Sequence, residues 1–334
     1  MEIDLSVIWA IVILFGVMLY VIADGFDLGV GILFPLIPSK QHRDCMMTSV
    51  APIWDGNETW LVLGGAGLLA AFPLAYAVIL SALYLPILLM LIGLILRGVA
   101  FEARTKASEK VRHWWDKAFF FGSIIATFFQ GTILGAFMSG IPVEHNRFSG
   151  HSLDWITPFA LFCGLALIAT YTLLGSTWLI MKTEGALQAR IRELTRPLVW
   201  LLIAAMAVIS LWTPLIQDVI AKRWFTWPNF FWLLPLPVLA VFLCYRLYDS
   251  IDDGETRPFI LTLCIMALGF FGLSISLWPN IIPPTITIWD ASAPSISQKF
   301  SLIGALAIIP VILIYTAWSY YVFRGKVSSE SGYH

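Results

Sequence analysis

Long apolar segments are the feature that most constrains how this chain folds. Nine segments of the 334-residue chain have, or nearly have, the roughly 20 mostly apolar residues that a helix needs to cross a bilayer. The predicted spans are residues 6–35, 51–71, 74–101, 116–140, 155–181, 197–221, 227–248, 257–279 and 300–323. We therefore predict an all-α, polytopic membrane protein in which residues 1–334 form one transmembrane helical domain.

The composition excludes an ordinary soluble domain. Hydrophobic residues make up 59% of the chain and charged residues only 12%, whereas soluble domains carry about 25% charged residues. The net charge of −1 gives no basic field to attract nucleic acid. The four cysteines are far apart and form no CxxC pair, so neither a zinc site nor a disulfide framework is indicated. Lipid is therefore the expected surroundings of the chain, and nucleic acid is not a predicted partner.

The distribution of Lys and Arg predicts how the chain is oriented. Nine spans place the two termini on opposite sides of the membrane. Of the 20 Lys and Arg residues, fifteen fall on the side of the C-terminus, four fall on the other side, and Arg97 lies inside the third span. Cytoplasmic loops carry the excess of positive residues. We therefore predict that the N-terminus is outside (periplasmic) and that the C-terminus is in the cytoplasm.

Ionisable residues inside the first three spans are the main candidates for function. Each costs about 2.5–3.5 kcal/mol on insertion scales, so each needs a reason to be there. These residues are Asp24 and Asp27 in the first span, Asp55 and Glu58 at the start of the second, and Arg97 and Glu102 at the end of the third. The apolar part of the second span, residues 59–71, is too short to cross alone. Its polar start must therefore lie in the membrane-embedded helix or at its inner end.

The predicted topology places these acids in the cytoplasmic half of the membrane. At about 1.5 Å per residue, Asp24 lies roughly 16 Å from the cytoplasmic end of its span, near the midplane. A series of carboxylates from surface to midplane with one Arg beside it is typical of a proton path. The alternative is a structural cluster in which Arg97 pairs with Asp55 or Glu58, and the two interpretations are compatible. Four acids against one base leave negative charge that protons, water or another cation must balance.

Other polar and aromatic residues indicate no further site. The five histidines lie in predicted loops, at loop–helix junctions or at the terminus, whereas a transmembrane b-type haem needs axial histidines inside helices. We therefore predict no haem and no metal bound by this chain. Gln130 in the fourth span is expected to form an interhelical hydrogen bond. Trp and Tyr residues near span ends, including Tyr320, are typical of an aromatic belt.

Five stretches, in order along the whole chain, resemble subunit II of the cytochrome bd-type quinol oxidases. They are residues 24–31 (DGFDLGVG), 51–60 (APIWDGNETW), 97–102 (RGVAFE), 287–291 (TIWDA) and 315–318 (YTAW). The first two motifs are long and unusual, so chance is a poor explanation for the match. The compact length is similar to that of the cyanide-insensitive branch.

The resemblance implies a nine-helix subunit in a bacterial inner membrane, paired with a haem-bearing subunit I. Subunit I would carry two b-type haems, a d-type or third b-type haem, and the outer quinol loop. The complex would oxidise quinol, reduce O₂ to water and take its protons from the cytoplasm. The resemblance also allows a structural quinone on this subunit and a small single-helix subunit as a further partner.

The resemblance assigns roles to individual acids as well. The acid of the WDGN motif, Asp55, maps onto the proton path, and the acids of the DGFD motif are Asp24 and Asp27. Some relatives have Gln where this chain has Glu58, so Glu58 is not required by the resemblance. A proton-coupled secondary transporter is the alternative function, since acids near the midplane and glycine-interrupted helices suit that class too. A third interpretation is a purely structural partner that conducts nothing.

Overall fold

The computed structural model describes residues 4–327, which form a bundle of long helices joined by short loops. The helices are α1 (Leu5–Leu33), α2 (Lys40–Val50), α3 (Trp54–Ala71), α4 (Pro73–Lys106), α5 (Glu109–Ser139), α6 (Pro158–Lys182), α7 (Gly185–Ile216), α8 (Asp218–Phe225), α9 (Asn229–Leu233), α10 (Pro235–Ser250), α11 (Arg257–Leu277) and α12 (Ser295–Val322). Two antiparallel hairpins lie in loops, β1 (Val143–Glu144) with β2 (Arg147–Phe148) and β3 (Asn280–Ile282) with β4 (Ile286–Thr287).

The helices confirm an all-α polytopic membrane protein. Within residues 4–327, eight helical segments are long and apolar enough to cross a membrane. They correspond to the first predicted span and to the third to ninth. The remaining predicted span corresponds to α3, whose 18 residues give a helix about 27 Å long.

Helix α3 packs lengthwise against α1. Near its end, Gly67 lies against Trp9 and Ile13 of α1. At its start, the Asn57 amide donates to Asp27 of α1. The two helices are therefore antiparallel neighbours over nearly the whole of α3, as expected for a membrane span. The count of nine spans stays a prediction.

Several helices extend beyond the predicted spans. Helix α7 begins at Gly185, whereas the predicted span begins at residue 197, and α5 begins at Glu109 rather than 116. The added turns are rich in charged residues, which hydropathy excludes although they continue the helix in water. Helix α2 was not predicted for the same reason. Hydropathy therefore predicted the apolar part of each long helix but not where that helix begins and ends.

The C-terminal half of α1 is the centre of the bundle. All residues from 23 to 34 are buried, so this stretch is covered on every face. The Phe26 ring stacks on Trp178 of α6, with ring centroids 4.2 Å apart. Gly29 permits this closeness, because a Cβ at that position would overlap the carbonyl oxygen of Tyr171 on α6. The fold thus encloses the two acids of α1 within protein rather than lipid.

Candidate functional site

A buried ion-pair cluster joins α1, α3 and α4. The Arg97 guanidinium donates to Asp24 Oδ1 at 2.8 Å and to Glu58 Oε2 at 3.2 Å. The side chains of Arg97 and Asp24 are each 1% exposed, and that of Glu58 is 29% exposed. The cluster therefore contains the paired charges that the sequence predicted, with two acids on one cation.

Two neighbours hold Arg97 in place. The Trp54 ring lies under the guanidinium, with 5.5 Å from Cζ to the ring centroid, which is cation–π geometry. On the other side, Gly122 of α5 lets the two helices meet closely, since a Cβ there would lie 2.6 Å from the Arg97 backbone nitrogen. The position of this cation is therefore set by packing as well as by its ion pairs.

Asp27 has a different set of contacts. Its Oδ2 accepts from Asn57 Nδ2 at 2.7 Å, and Asn57 Nδ2 also donates to the Ala23 carbonyl at 3.3 Å. Asn57 Oδ1 in turn accepts from the Tyr320 hydroxyl of α12 at 2.9 Å. Asp27 Oδ1 is buried and has no hydrogen-bond partner in the structure. The buried half of α1 thus holds one ion-paired acid and one acid that contacts only a neutral amide.

Gln130 forms the interhelical hydrogen bonds that the sequence predicted. Its Nε2 donates to the Tyr20 hydroxyl of α1 at 2.6 Å, and its Oε1 accepts from the Tyr171 hydroxyl of α6 at 3.1 Å. Tyr20 lies one turn before Asp24, on the same face of α1. This polar chain links α1, α5 and α6 next to the acids.

A small cleft reaches the site between α3 and α12. It has room for about one water molecule. The residues with polar side chains that line it are Asn57, Tyr315, Thr316, Ser319 and Tyr320. The Thr316 hydroxyl is buried without a hydrogen-bond partner. The cleft is therefore a polar approach to Asn57, the direct neighbour of Asp27.

Asp55 and Glu102 lie outside the cluster. Both are exposed in this chain, and neither side chain makes an ion pair within residues 4–327. Asp55 and Glu58 are three residues apart, which turns their side chains about 60° from one another around the helix. This difference is enough for Glu58 to reach Arg97, whereas the exposed Asp55 makes no ion pair with it. Of the two pairings considered for Arg97, the structure contains the one with Glu58, and it adds Asp24.

Sequence reasoning missed Asn57 and three tyrosines of the candidate site. Tyr20, Tyr171 and Tyr320 all place hydroxyl groups in the polar network. A buried Tyr hydroxyl needs a partner, so a tyrosine in the middle of a span is a usable signal. Tyr20 and Tyr171 carry that signal. Tyr320 does not, because its place near a span end also fits an aromatic belt.

Comparisons with known proteins give one consistent result. A family model described as cytochrome bd terminal oxidase subunit II matches residues 5–323. The chain is 28% identical to cytochrome bd-I ubiquinol oxidase subunit 2 of Escherichia coli strain K12, covering 98% of this chain and 96% of that protein. It is 30% identical to cytochrome bd ubiquinol oxidase subunit 2 of Bacillus subtilis strain 168, covering 92% of each.

The fold is also found in a solved structure. The bd oxidase from Geobacillus thermodenitrificans contains a chain that matches with a TM-score of 0.78 at 18% identity, covering 96% of this chain and 99% of that one. At this identity the likeness concerns the fold.

Proposed function

The chain belongs to the cytochrome bd terminal oxidase subunit II family, and from this premise we propose that it works beside a haem-bearing subunit I and supplies that complex with protons. The complex is a quinol oxidase, in which quinol oxidation is coupled to reduction of O₂ to water. Two relatives are named ubiquinol oxidase subunits, which supports a quinol as the electron donor. The family membership favours this function over a proton-coupled transporter.

The distribution of histidines supports placing the haems on the partner. Within residues 4–327, His42 lies in α2, His113 in the first turns of α5, and His145 and His151 in the loop around β1 and β2. None of these four lies in the middle of a membrane span, where an axial haem ligand would be needed. The proposed haems of subunit I, two b-type and one d-type or third b-type, would carry electrons from quinol to O₂. A structural quinone and a small single-helix subunit stay predictions.

The proposal of a proton path rests on acids inside the bundle whose negative charges exceed the positive charge beside them. Asp24 and Glu58 pair with one cation, Arg97, and the nearby Asp27 is buried with its Oδ1 unpartnered. A purely structural cluster would match its charges and satisfy its polar atoms. With the N-terminus outside, as proposed from the Lys and Arg distribution, the path opens toward the cytoplasmic face of an inner membrane. Asp55 is its proposed entrance, and Glu58, Asp27 and Asp24 line it.

The exposed acids indicate where subunit I docks. Asp55 and Glu102 share a surface with exposed apolar residues of α3 and α4, and an acid facing lipid would be costly. This surface, the α3–α4 face, comprises Asp55, Thr59, Val62, Gly65, Leu69, Ile92, Ile95, Val99 and Glu102. Gly65 has open space beyond it, which permits close helix contact. We therefore place subunit I on the α3–α4 face, where Asp55 would meet it.

A purification separates the oxidase from the transporter. The chain is purified from membranes under mild conditions, and a reduced-minus-oxidised visible spectrum is recorded. Haem bands that co-purify with a larger companion chain, and are lost when that companion is removed, support the proposal. A colourless protein that purifies alone, or haem retained stoichiometrically after separation, would contradict it.

Cross-linking tests the α3–α4 face separately. A cysteine at Val62 should cross-link to the companion chain, whereas a cysteine at Leu215, which is exposed on α7 away from that face, should not. Equal cross-linking from both positions, or from Leu215 alone, would place the partner elsewhere.

A further inference from the structure

The contacts of Asp24 mark it as a fixed anion. A guanidinium is charged at all accessible pH values, and the guanidinium of Arg97 is buried against Asp24 Oδ1 at 2.8 Å. Gln130 donates into the Tyr20 hydroxyl, which leaves the proton of Tyr20 free to donate elsewhere. Asp24 Oδ2 lacks a partner and lies one turn away. The ion pair with Arg97 at Oδ1 stabilises the ionised form of Asp24, and the Tyr20 hydroxyl is a nearby donor group.

The contacts of Asp27 indicate that its carboxyl group is protonated and neutral. The orientation of Asn57 is settled by Ala23, because a backbone carbonyl only accepts and the atom facing it must be the amide nitrogen. Asp27 Oδ2 therefore accepts one neutral hydrogen bond. Within the described part of the chain, no Lys or Arg forms an ion pair with Asp27. A buried carboxylate with so little compensation neutralises instead, and the unpartnered Oδ1 is where its proton would sit.

The surrounding charges agree with a neutral Asp27. The titratable or charged groups around it are Asp24, Tyr20, Glu58, Arg97, Tyr171 and Tyr320. Arg97 is already balanced by Asp24, with Glu58 as a second acid. Ionising Asp27 would add another negative charge to a site that holds an excess of them.

We propose that Asp27 is the acid of the cluster that holds and exchanges a proton, and that Asp24 stays ionised as the fixed partner of Arg97. Asp27 loses the proton on Oδ1 to water and regains it from water, while Asp24 keeps its charge throughout. The cleft lined by Asn57, Thr316 and Tyr320 is the route by which that water arrives. This inference rests on the proposed proton path and assigns different roles to two acids within it.

Infrared spectroscopy of the assembled oxidase tests the assignment. The carbonyl stretch of a protonated carboxylic acid is separate from that of a carboxylate and shifts in D₂O. Asp27→Asn should remove one such band, whereas Asp24→Asn should leave it in place. Asp218→Asn, at an exposed acid in the first turn of α8, is the matched control and should also leave the band unchanged.

Assembly of the two variants gives a second measurement. A neutral acid tolerates an amide of the same shape, so Asp27→Asn should assemble with its haems at the wild-type level. Asp24→Asn should assemble less well, because it removes the counter-ion of a buried guanidinium. The inference is overturned if Asp27→Asn keeps the band or fails to assemble, or if an assembled Asp24→Asn loses the band. Loss of the band in an Asp27→Asn complex with full oxygen consumption would uphold the protonation states of the two acids and overturn a role for Asp27 in the proton path.

Discussion

The aspartates at the two ends of α1 differ in whether all of their carboxylate oxygens are hydrogen-bonded. At the N-terminal end, called the outer end after the proposed orientation, the exposed Asp4 uses both oxygens: Oδ1 accepts from Ser6 N at 3.0 Å and Val7 N at 3.2 Å, and Oδ2 accepts from Trp289 Nε1 at 2.7 Å. Toward the C-terminal end, called the inner end, the buried Asp24 and Asp27 each leave one oxygen unpartnered. Unsatisfied polar atoms are most costly when buried. The unpartnered oxygens at the inner end therefore lower the stability of the fold, and folding alone does not explain why they are there.

The contacts between helices differ in the same way. The outer end of α1 is joined to the loop before α12 and to α12 itself by the hydrogen bond from Trp289 to Asp4 and by neutral hydrogen bonds, Trp9 Nε1 to Gln298 O at 3.1 Å and Ser292 Oγ to Ser6 Oγ at 2.7 Å. The inner end is joined to its neighbours by charges and by amide and hydroxyl groups next to charges. The comparison indicates that the outer end stabilises the bundle and that the inner end serves its chemistry.

Removing the central cation should have the largest effect. Arg97→Met leaves Asp24 and Glu58 without their partner, and breaking a buried ion pair typically costs about 3–5 kcal/mol. We expect little or no assembled complex, measured as haem absorbance in membranes. Arg97→Lys should recover part of the assembly, because it keeps the charge but not the forked geometry.

The control for Arg97 is an arginine of α8, on the proposed outer side of the bundle. Arg223 donates to the Ile275 carbonyl at 2.6 Å at an exposed position. Arg223→Met should leave assembly close to wild type. Equal losses from the two substitutions would remove the distinction between the two ends.

Asp55→Asn should have the next largest effect. The amide keeps the shape of the side chain but cannot carry a proton, so oxygen consumption with quinol should fall at least about tenfold. Assembly should be normal, because Asp55 does not pair with Arg97. Glu58→Gln should cost less activity, since Asp24 still holds Arg97. Wild-type turnover in an assembled Asp55→Asn complex would show that Asp55 is not on the path.

The sequence was sufficient for the long apolar helices and for the charged members of the cluster. Apolar length reveals a span, and an acid in a span is conspicuous because lipid makes it costly, as at Asp24 and Asp27. The pairing within the cluster was not readable. Glu58 rather than Asp55 faces Arg97 because of the rotation of α3, and Tyr320 meets Asn57 across 263 residues of chain. No local pattern encodes such contacts, since tertiary packing brings the two residues together.

Tyr320→Phe should have a moderate effect. It removes the hydroxyl that holds Asn57 Oδ1, and one buried hydrogen bond contributes about 1 kcal/mol. We expect a small decrease in the thermal midpoint of the complex and a larger relative change in activity, because Asn57 is the direct neighbour of Asp27. Tyr321→Phe is the matched control, since the adjacent Tyr321 is exposed. Identical results for the two variants would exclude a role for the Tyr320 hydroxyl.

Substitution of Asp4 should have the smallest effect of these changes, and the size of that effect should depend on pH. The hydrogen bond from Trp289, with those from the Val7 and Ser6 backbones, holds the pKa of the Asp4 carboxyl below its usual 3.8. Because the pKa is lowered in the folded state, the stabilisation is complete above 3.8 and is lost as the pH falls through the folded-state pKa. Asp4→Asn keeps a good helix cap but removes the charge. Its thermal midpoint should therefore be slightly below wild type at neutral pH and equal to it in acid. Trp289→Phe removes the main donor and should abolish most of this dependence; a wild-type midpoint that differs from Asp4→Asn equally at both pH values would contradict the assignment.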